Sequence, residues 1–266
     1  MNLQEFTRKA KYGVFIPKKV TRKPWNIGSV ISDLFPLRTG DGWTTFFEIL
    51  DIPGLLNGSF SDTSRHKILF VFFDQDGNEI GRKHFPSPTE PRYSLELSTS
   101  FFKEIDKACT FSVFHTNFEP LDNLGDSFLA ERGYSGYKRN NMPIRGYVHG
   151  NLDSIAWHLG EMQMLGNAGI LRRSYLVQHP FSGESKYELF LTNPCNQKVR
   201  IRVQVRSPKS SWKDFETFIL NPRGCQKISI DVGENEVKFI RIVSRLYLGR
   251  PVIFRCNENS MDVFHG

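Results

Sequence analysis

The sequence predicts an all-β protein of two tandem antiparallel β-sandwich domains, joined by an irregular middle segment that contains one short helix. The composition favours strands, because 23 Phe, 14 Pro and 21 Gly are typical of aromatic-filled strands separated by turns. Short apolar runs follow one another with turn residues between them, and strict apolar and polar alternation marks the run from 198 to 206. These runs come in a similar order in the two halves of the chain.

The strands of the second half are the most clearly marked. Between 198 and 206, one face of the predicted strand carries Val199, Ile201, Val203 and Val205, and the other carries Arg200, Arg202, Gln204 and Arg206. The alternation recurs at 226–232, after the turn sequence Asn221-Pro222-Arg223-Gly224. Further apolar runs lie at 187–191, 237–243 and 251–255. One face of this half is therefore expected to be core and the other to face water.

The order of these elements resembles that of bacterial immunoglobulin-like β-sandwich modules. The turn Asn193-Pro194 precedes the strand at 199–205, a second strand follows at 215–220, and a Pro-x-Gly turn at 222–224 leads into the alternating strand at 228–232. The resemblance covers the C-terminal half only. It implies a fold and brings no catalytic residues with it.

The first half can be matched to the second in the same order. Residues 46–50 match 187–191, 66–73 match 199–205, 93–97 match 226–232, and 109–115 match the late strand before Cys256. The sequence Asp74-Gln75-Asp76-Gly77-Asn78 predicts a hairpin loop, because Asp, Gly and Asn tolerate positive φ angles. We therefore expect one topology in both halves, with sandwich domains at 25–118 and 176–266.

The middle segment, residues 119–175, matches neither half and is rich in Gly and Tyr. Within it, residues 153–165 predict one short helix, with Asp153 or Ser154 as the N-cap and Ile155, Leu159 and Met162 on a common face. Long irregular connections inside compact proteins are often functional. We therefore expect the functional site in this segment.

The charge of the chain is unevenly distributed. The net charge is +7 and the pI about 9.2. A predicted basic N-terminal arm at 1–24 holds Arg8, Lys9, Lys11, Lys18, Lys19, Arg22 and Lys23, and no acid follows Glu5 within it. Such an arm is either a solvated leader or a contact for phosphates, anionic lipids or acidic polysaccharide.

The cysteines and the hydropathy predict a soluble, cytoplasmic protein. The four cysteines are widely spaced, without a C-x-x-C pair, which favours free thiols in a reducing compartment. The first residues lack the apolar core of a secretory signal, and no apolar stretch has the length of a transmembrane helix.

The middle segment offers residues for ligand binding. Tyrosine rings lie flat against sugars or bases, and arginines pair with carboxylates or phosphates. The candidate ligand-binding residues are Tyr134, Tyr137, Arg145, Tyr147, His149 and Asn151. This pattern favours a non-enzymatic recognition or scaffolding protein that binds an anionic carbohydrate or a partner protein. Nucleic acid is a less favoured partner, because no RNA-recognition or OB-type signature is present.

The alternative is a metal-dependent enzyme acting on a sugar or another small polar substrate. Its metal ligands would be His115, His149 and His265, which suit zinc or another divalent transition metal, and Glu131 would be the acid/base. The spacing of these histidines does not itself indicate a metal site. The sequence also lacks a G-x-S-x-G elbow and a glycine-rich phosphate loop, which disfavours serine hydrolase and nucleotide chemistry.

Overall fold

The computed structural model describes residues 21–266 apart from 27, 51–66, 87–89, 117–127, 129, 132, 141, 184, 247–249 and 259. The predicted basic arm therefore lies outside the described residues as far as residue 20. Within the described ranges the chain is mostly β-strand, and the helical part is one 3-10 turn at Ile105–Lys107. The prediction of an all-β fold is confirmed.

The strands of the first half and of the middle segment alternate with short turns. They are β1 (Val30–Pro36), β2 (Trp43–Leu50), β3 (Lys67–Phe73), β4 (Glu79–Pro86), β5 (Arg92–Leu97), β6 (Thr110–Thr116), β7 (Ala130–Glu131), β8 (Tyr134–Arg139), β9 (Gly146–His149), β10 (Asn151–His158) and β11 (Glu161–Met164). The predicted loop at 74–78 closes the β3–β4 hairpin, with Gly77 at a φ of 82° and the Asn78 amide donating to the Asp74 carboxylate at 2.8 Å.

The second half continues the pattern. Its strands are β12 (Arg173–Leu176), β13 (Phe181–Ser182), β14 (Lys186–Thr192), β15 (Val199–Arg206), β16 (Lys213–Leu220), β17 (Cys225–Ile230), β18 (Val237–Ser244), β19 (Val252–Cys256) and β20 (Met261–His265). The predicted turn at 221–224 is present, and its positive φ of 66° falls on Arg223 rather than on Gly224.

The two halves share one strand order. In the first half the sheets run β1-β6-β3-β4 and β5-β2-β8-β9, and in the second half they run β12-β18-β15-β16 and β17-β14-β19-β20. Three of the four predicted matches are correct. The fourth is wrong, because β6 occupies the position of β18, whereas the strand before Cys256 occupies the position of β8. β6 and β19 are both apolar, so their sequences are alike and only the strands with which they pair distinguish them.

Each half buries its own core. In the first half, Phe35, Phe47, Phe70 and Phe111 pack with ring centroids 5.0 to 6.3 Å apart. β3 is apolar at nearly every position because both of its faces are covered, one by this aromatic core and the other by β1, β10 and β11. The second core is aliphatic and lies between the β15 and β14 sheets.

A third cluster joins the halves. The β17-β14-β19-β20 sheet turns its second face, which includes Phe190 and Phe254, toward Trp43, Tyr137 and Val148 of the first half. The Trp43 and Phe254 rings meet edge to face at 5.1 Å. The two halves are therefore held together by a buried apolar contact.

The predicted helix at 153–165 is wrong. This stretch belongs to the β10–β11 hairpin, which turns at Leu159 and Gly160 with φ angles of 46° and 99°. Ile155 and Trp157 lie on one face with a period of two, and Leu159 is 88% exposed. Ile155 lies in β10, Leu159 in the turn and Met162 in β11, so these three residues have the spacing of a helix face without forming a helix.

The prediction that the middle segment is irregular is also wrong for the part that the structure describes, whereas residues 119–127 of that segment lie outside the described residues. It contains strands β7 to β11 and most of β12. β8 and β9 extend the sheet of β2, whereas β10 and β11 extend the sheet of β1. The segment reads as irregular because these strands are short and rich in Gly and Tyr. The domain boundaries proposed from the sequence stay a prediction.

Candidate functional site

Four of the predicted ligand-binding residues lie on one open surface, the outer face of the β5-β2-β8-β9 sheet. The pairs Tyr134 with His149 and Gly136 with Tyr147 join β8 to β9, and Tyr134 also pairs with Glu48 of β2. Directly paired residues share a sheet face. We call this surface the tyrosine face and define it by Phe46, Glu48, Arg92, Tyr134, Arg145, Tyr147 and His149.

Two rings of the tyrosine face are open to solvent. Tyr134 is 53% exposed and Tyr147 is 41% exposed. The Tyr147 ring lies close over Gly136, where an added Cβ would come within 2.8 Å of a ring carbon. Glycine at this position therefore lets the ring pack against the backbone of β8, where a larger residue would collide with it.

A buried carboxylate organises the charges beside these rings. Glu48 accepts from Arg92 Nε at 2.8 Å and from the Tyr147 hydroxyl at 3.2 Å, and Arg145 Nη1 lies 3.7 Å away. Burial alone would raise the pKa of Glu48, but hydrogen bonds from Arg92, Ser94 and Tyr147 outweigh it and lower the pKa. Glu48 is therefore an anion that orients its neighbours.

Arg145 is positioned by two further contacts. Its guanidinium group lies 3.6 Å from the centroid of the Phe46 ring, and Nη1 donates to Ser94 Oγ at 2.6 Å. Both contacts limit the rotamers of a long side chain, which reduces the entropy lost when a ligand binds. Arg145 and the more exposed Arg92 are thus held ready to donate hydrogen bonds to an anion.

His149 and His265 meet at the edge of this face. Their ring centroids are 4.5 Å apart, His265 Nε2 lies 3.0 Å from the His149 carbonyl oxygen, and Arg250 Nη2 lies 3.3 Å from His149 Nε2. Burial, together with the charges of Arg250 and His149, lowers the pKa of His265 to about 4. His265 is therefore a neutral, packed residue at physiological pH.

Two other predicted ligand residues point elsewhere. Tyr137 is fully buried, and its hydroxyl donates to the Pro36 carbonyl at 2.6 Å. Asn151 is buried as well, and its amide donates to Thr192 Oγ1 across the junction of the two halves. Both residues stabilise packing and do not belong to the tyrosine face.

The residues of the metal alternative lie in two separate places, His149 with His265 in one and His115 with Glu131 in the other. His115 lies in the interior of the first half, where its Nε2 is 2.5 Å from Glu131 Oε2, and the other Glu131 oxygen accepts from the Gly133 amide. The part of the chain that the structure describes has no cluster of three His, Cys, Asp or Glu residues suited to a metal ion. A guanidinium group beside His149 Nε2 also disfavours a cation there.

A second charged surface lies on the other half of the molecule, and the sequence predicted only the part of it that belongs to β15. The outer face of the β12-β18-β15-β16 sheet gathers arginines from three segments, and we call it the arginine face. It comprises Arg172, Arg200, Arg202, Arg206, Arg241, Trp212 and Asp214, with guanidinium carbons of Arg206 and Arg241 at 5.0 and 4.4 Å from the Trp212 ring centroid. The alternation in β15 indicated the wet face, but the neighbours come from pairing across strands.

Fold and site together define an all-β protein of two halves with the same strand order and two exposed sheet faces rich in Tyr or Arg. Comparison with protein-family models, with curated proteins and with solved structures found no match. Among the described residues, no helix has the length and hydropathy needed to cross a membrane.

Proposed function

We propose that this protein is a non-enzymatic recognition protein that binds an anionic carbohydrate on the tyrosine face. The observation that carries this proposal is the pair of exposed rings, Tyr134 and Tyr147, beside two restrained arginines. Aromatic rings supply stacking surface for the apolar face of a sugar, and guanidinium groups pair with carboxylate or sulfate groups.

The charge of the face favours an anion. Arg92, Lys138 and Arg145 outnumber the carboxylates Glu48 and Glu96 on the outward positions of this sheet. Glu48 uses its two oxygens to hold Arg92 and Tyr147, so the guanidinium groups keep further N–H donors for a ligand. An extended acidic oligosaccharide suits an open sheet face of this kind better than a small enclosed molecule does.

The test is binding of the full chain to an array of neutral, uronic-acid and sulfated oligosaccharides, with affinities measured by calorimetry. We expect the double variant Y134A/Y147A to weaken binding of an acidic glycan by at least about tenfold, a loss of ~1.4 kcal/mol. Tyr93 is the matched control, because it is 41% exposed but packs against Phe85, with ring centroids 5.5 Å apart, and pairs with the inward-facing Ile49.

Any one of the following outcomes would contradict the proposal. They are an array without any glycan bound, unchanged affinity in the double variant, and equal loss in Y93A. If a protein partner is bound instead, with the same dependence on Tyr134 and Tyr147, the face is a protein interface and the carbohydrate proposal is wrong.

The arginine face supports a second candidate, a site for a sulfated or phosphorylated polymer. A shallow pocket of about 180 Å³ there is lined by Arg172, Arg200 and Arg202. We expect R200A/R202A to elute from immobilised heparin at lower salt than the control K83A/K103A, which removes two exposed lysines of the first half. Equal elution of the two variants would remove this candidate.

We further propose that both halves are immunoglobulin-like. β2 pairs with β5 and β3 with β6, as β14 does with β17 and β15 with β18. Strands B and E, and C and F, neighbour one another in the same way in that fold. β8 and β9, like β19 and β20, depart from it by lying beside the B-like strand. A cytoplasmic location is also proposed, on the support of four free cysteines.

A further inference from the structure

Cys109 and Cys225 are neighbours across the junction of the two halves. Cys109 immediately precedes β6, and Cys225 begins β17. Cys225 belongs to the apolar cluster that joins the halves, and Cys109 packs against the same cluster. Their thiols are close enough to share a hydrogen bond, and neither is in a disulfide.

A single segment holds the backbones of both cysteines. The Cys109 amide donates to the Phe73 carbonyl at 2.8 Å, and the Cys225 amide donates to the Gln75 carbonyl at 3.1 Å. Phe73 and Gln75 are two positions apart at the start of one tight hairpin loop. The two cysteines are therefore placed side by side by the backbone, independently of their side-chain rotamers.

Solvent reaches this pair through a cavity. Both cysteines line a space of about 280 Å³ that also borders Arg38, Lys227 and Asp106. Cys109 is partly exposed, whereas Cys225 is buried. A small oxidant therefore has access to Cys109 first, and Cys225 lies behind it as the second thiol.

The surroundings favour a thiolate at Cys109. The hydrogen bond with Cys225 lowers the pKa of Cys109 and the charge of Lys227 adds to this, while burial and Asp74 oppose it. The same hydrogen bond, together with burial, raises the pKa of Cys225. Cys109 is thus suited to be the attacking thiolate, and Cys225 to be the thiol that reacts in the second step.

We propose that Cys109 and Cys225 are a peroxide-sensitive dithiol that closes to a disulfide between the two halves. The Cys109 thiolate attacks a hydroperoxide, the O–O bond breaks, and the departing alkoxide or hydroxide takes up a proton, which leaves Cys109 as a sulfenic acid. The Cys225 sulfur then attacks the Cys109 sulfur, the S–O bond breaks, and water leaves with the Cys225 proton. One hydroperoxide is reduced and two thiols are oxidised.

The test is peroxide titration of the reduced full-length chain, followed by alkylation and peptide mass mapping. We expect a peptide linked through Cys109 and Cys225, two of the four free thiols lost, and recovery of both with dithiothreitol. Cys195 and Cys256 are buried and serve as controls within the molecule, and we expect them to react at least about tenfold more slowly. In Cys225→Ser, the sulfenic acid on Cys109 should persist long enough to be trapped by dimedone.

Several results would overturn the proposal. One is oxidation of Cys109 to sulfinic acid in the native chain while Cys225 keeps its thiol. Others are four unreacted thiols at a peroxide excess that oxidises free cysteine, or equal reaction of all four cysteines. Because the native chain alone yields the deciding result, an unstable variant does not affect it, and the outcome is independent of glycan binding.

Discussion

Arg38 of the first half donates hydrogen bonds to both carboxylate oxygens of Glu188 in the second half, from Nε at 3.0 Å and from Nη2 at 3.2 Å. Arg38 is 4% exposed, and Glu188 lies in β14, the strand that occupies the position of β2 in its own half. A bidentate pair fixes the angle between two bodies more narrowly than apolar contact alone. This ion pair therefore helps to fix the orientation of the first half relative to the second.

Replacing Arg38 with methionine should lower the free energy of unfolding by about 2 kcal/mol, because the partly buried Glu188 loses its bidentate partner and keeps Lys227, whose Nζ lies 3.6 Å from Oε1. Urea denaturation measures this loss. Lys107→Ala is the control, since its pair with Glu104 is exposed and should contribute less than about 1 kcal/mol. A double-mutant cycle of Arg38 with Glu188 that returns no coupling energy would show that the pair does not hold the junction.

Gly77 should be intolerant of a side chain because the second half lies against it. Its φ is 82°, and an added Cβ would fall 1.9 Å from the Pro222 carbonyl oxygen. We expect Gly77→Ala to cost about 2 to 4 kcal/mol of stability, from left-handed strain plus a backbone clash. Gly40→Ala is the matched control, with a φ of 75° and no atom within 4 Å of the added Cβ, and should cost only ~1 kcal/mol. Equal losses would mean that the hairpin does not contact the second half.

Tyr137→Phe separates a structural role from a binding role. The variant removes the hydrogen bond to the Pro36 carbonyl but keeps the ring, which packs edge to face on Phe254 with the centroids 4.8 Å apart. We expect a loss of about 1 to 2 kcal/mol in denaturation and unchanged affinity for any ligand of the tyrosine face. A change in affinity without a change in stability would restore Tyr137 as a binding residue.

Acid should destabilise the protein through His265. Its pKa lies near 4 in the folded chain and near 6.5 in an unfolded chain, so between these values the unfolded state binds the extra proton. The free energy of unfolding should therefore decrease as pH falls from 6.5 toward 4, by about 1 to 3 kcal/mol in total. Denaturation of His265→Gln across this window should show a shallower slope than the native chain, whereas His84→Gln, which removes an exposed histidine, should not. A slope unchanged in His265→Gln would assign the acid sensitivity to other groups.

Much of the fold follows from local patterns. The alternation of Val199, Ile201 and Val203 marks β15 and its buried face, and the Asp, Gly and Asn residues at 74–78 mark the β3–β4 hairpin. Both signals depend on neighbours along the chain, so the sequence contains them in full. The β10–β11 hairpin is not predicted by the sequence for two reasons. Leucine rarely adopts the positive φ that Leu159 has in this turn. In addition, Ile155, Leu159 and Met162 have the spacing expected for one face of a helix.

The sequence by itself determined the class of the fold, three of the four strand matches between the two halves and four residues of the candidate site, because side-chain period and turn chemistry are local properties. Tertiary structure alone decided which rings face solvent. Tyr134 and Tyr137 are three positions apart on one strand, so they project to opposite faces, and only the packing of Phe254 against one of those faces makes Tyr137 interior. It likewise placed Arg38 on Glu188 and Cys109 beside Cys225, contacts between residues more than a hundred positions apart that no local pattern encodes.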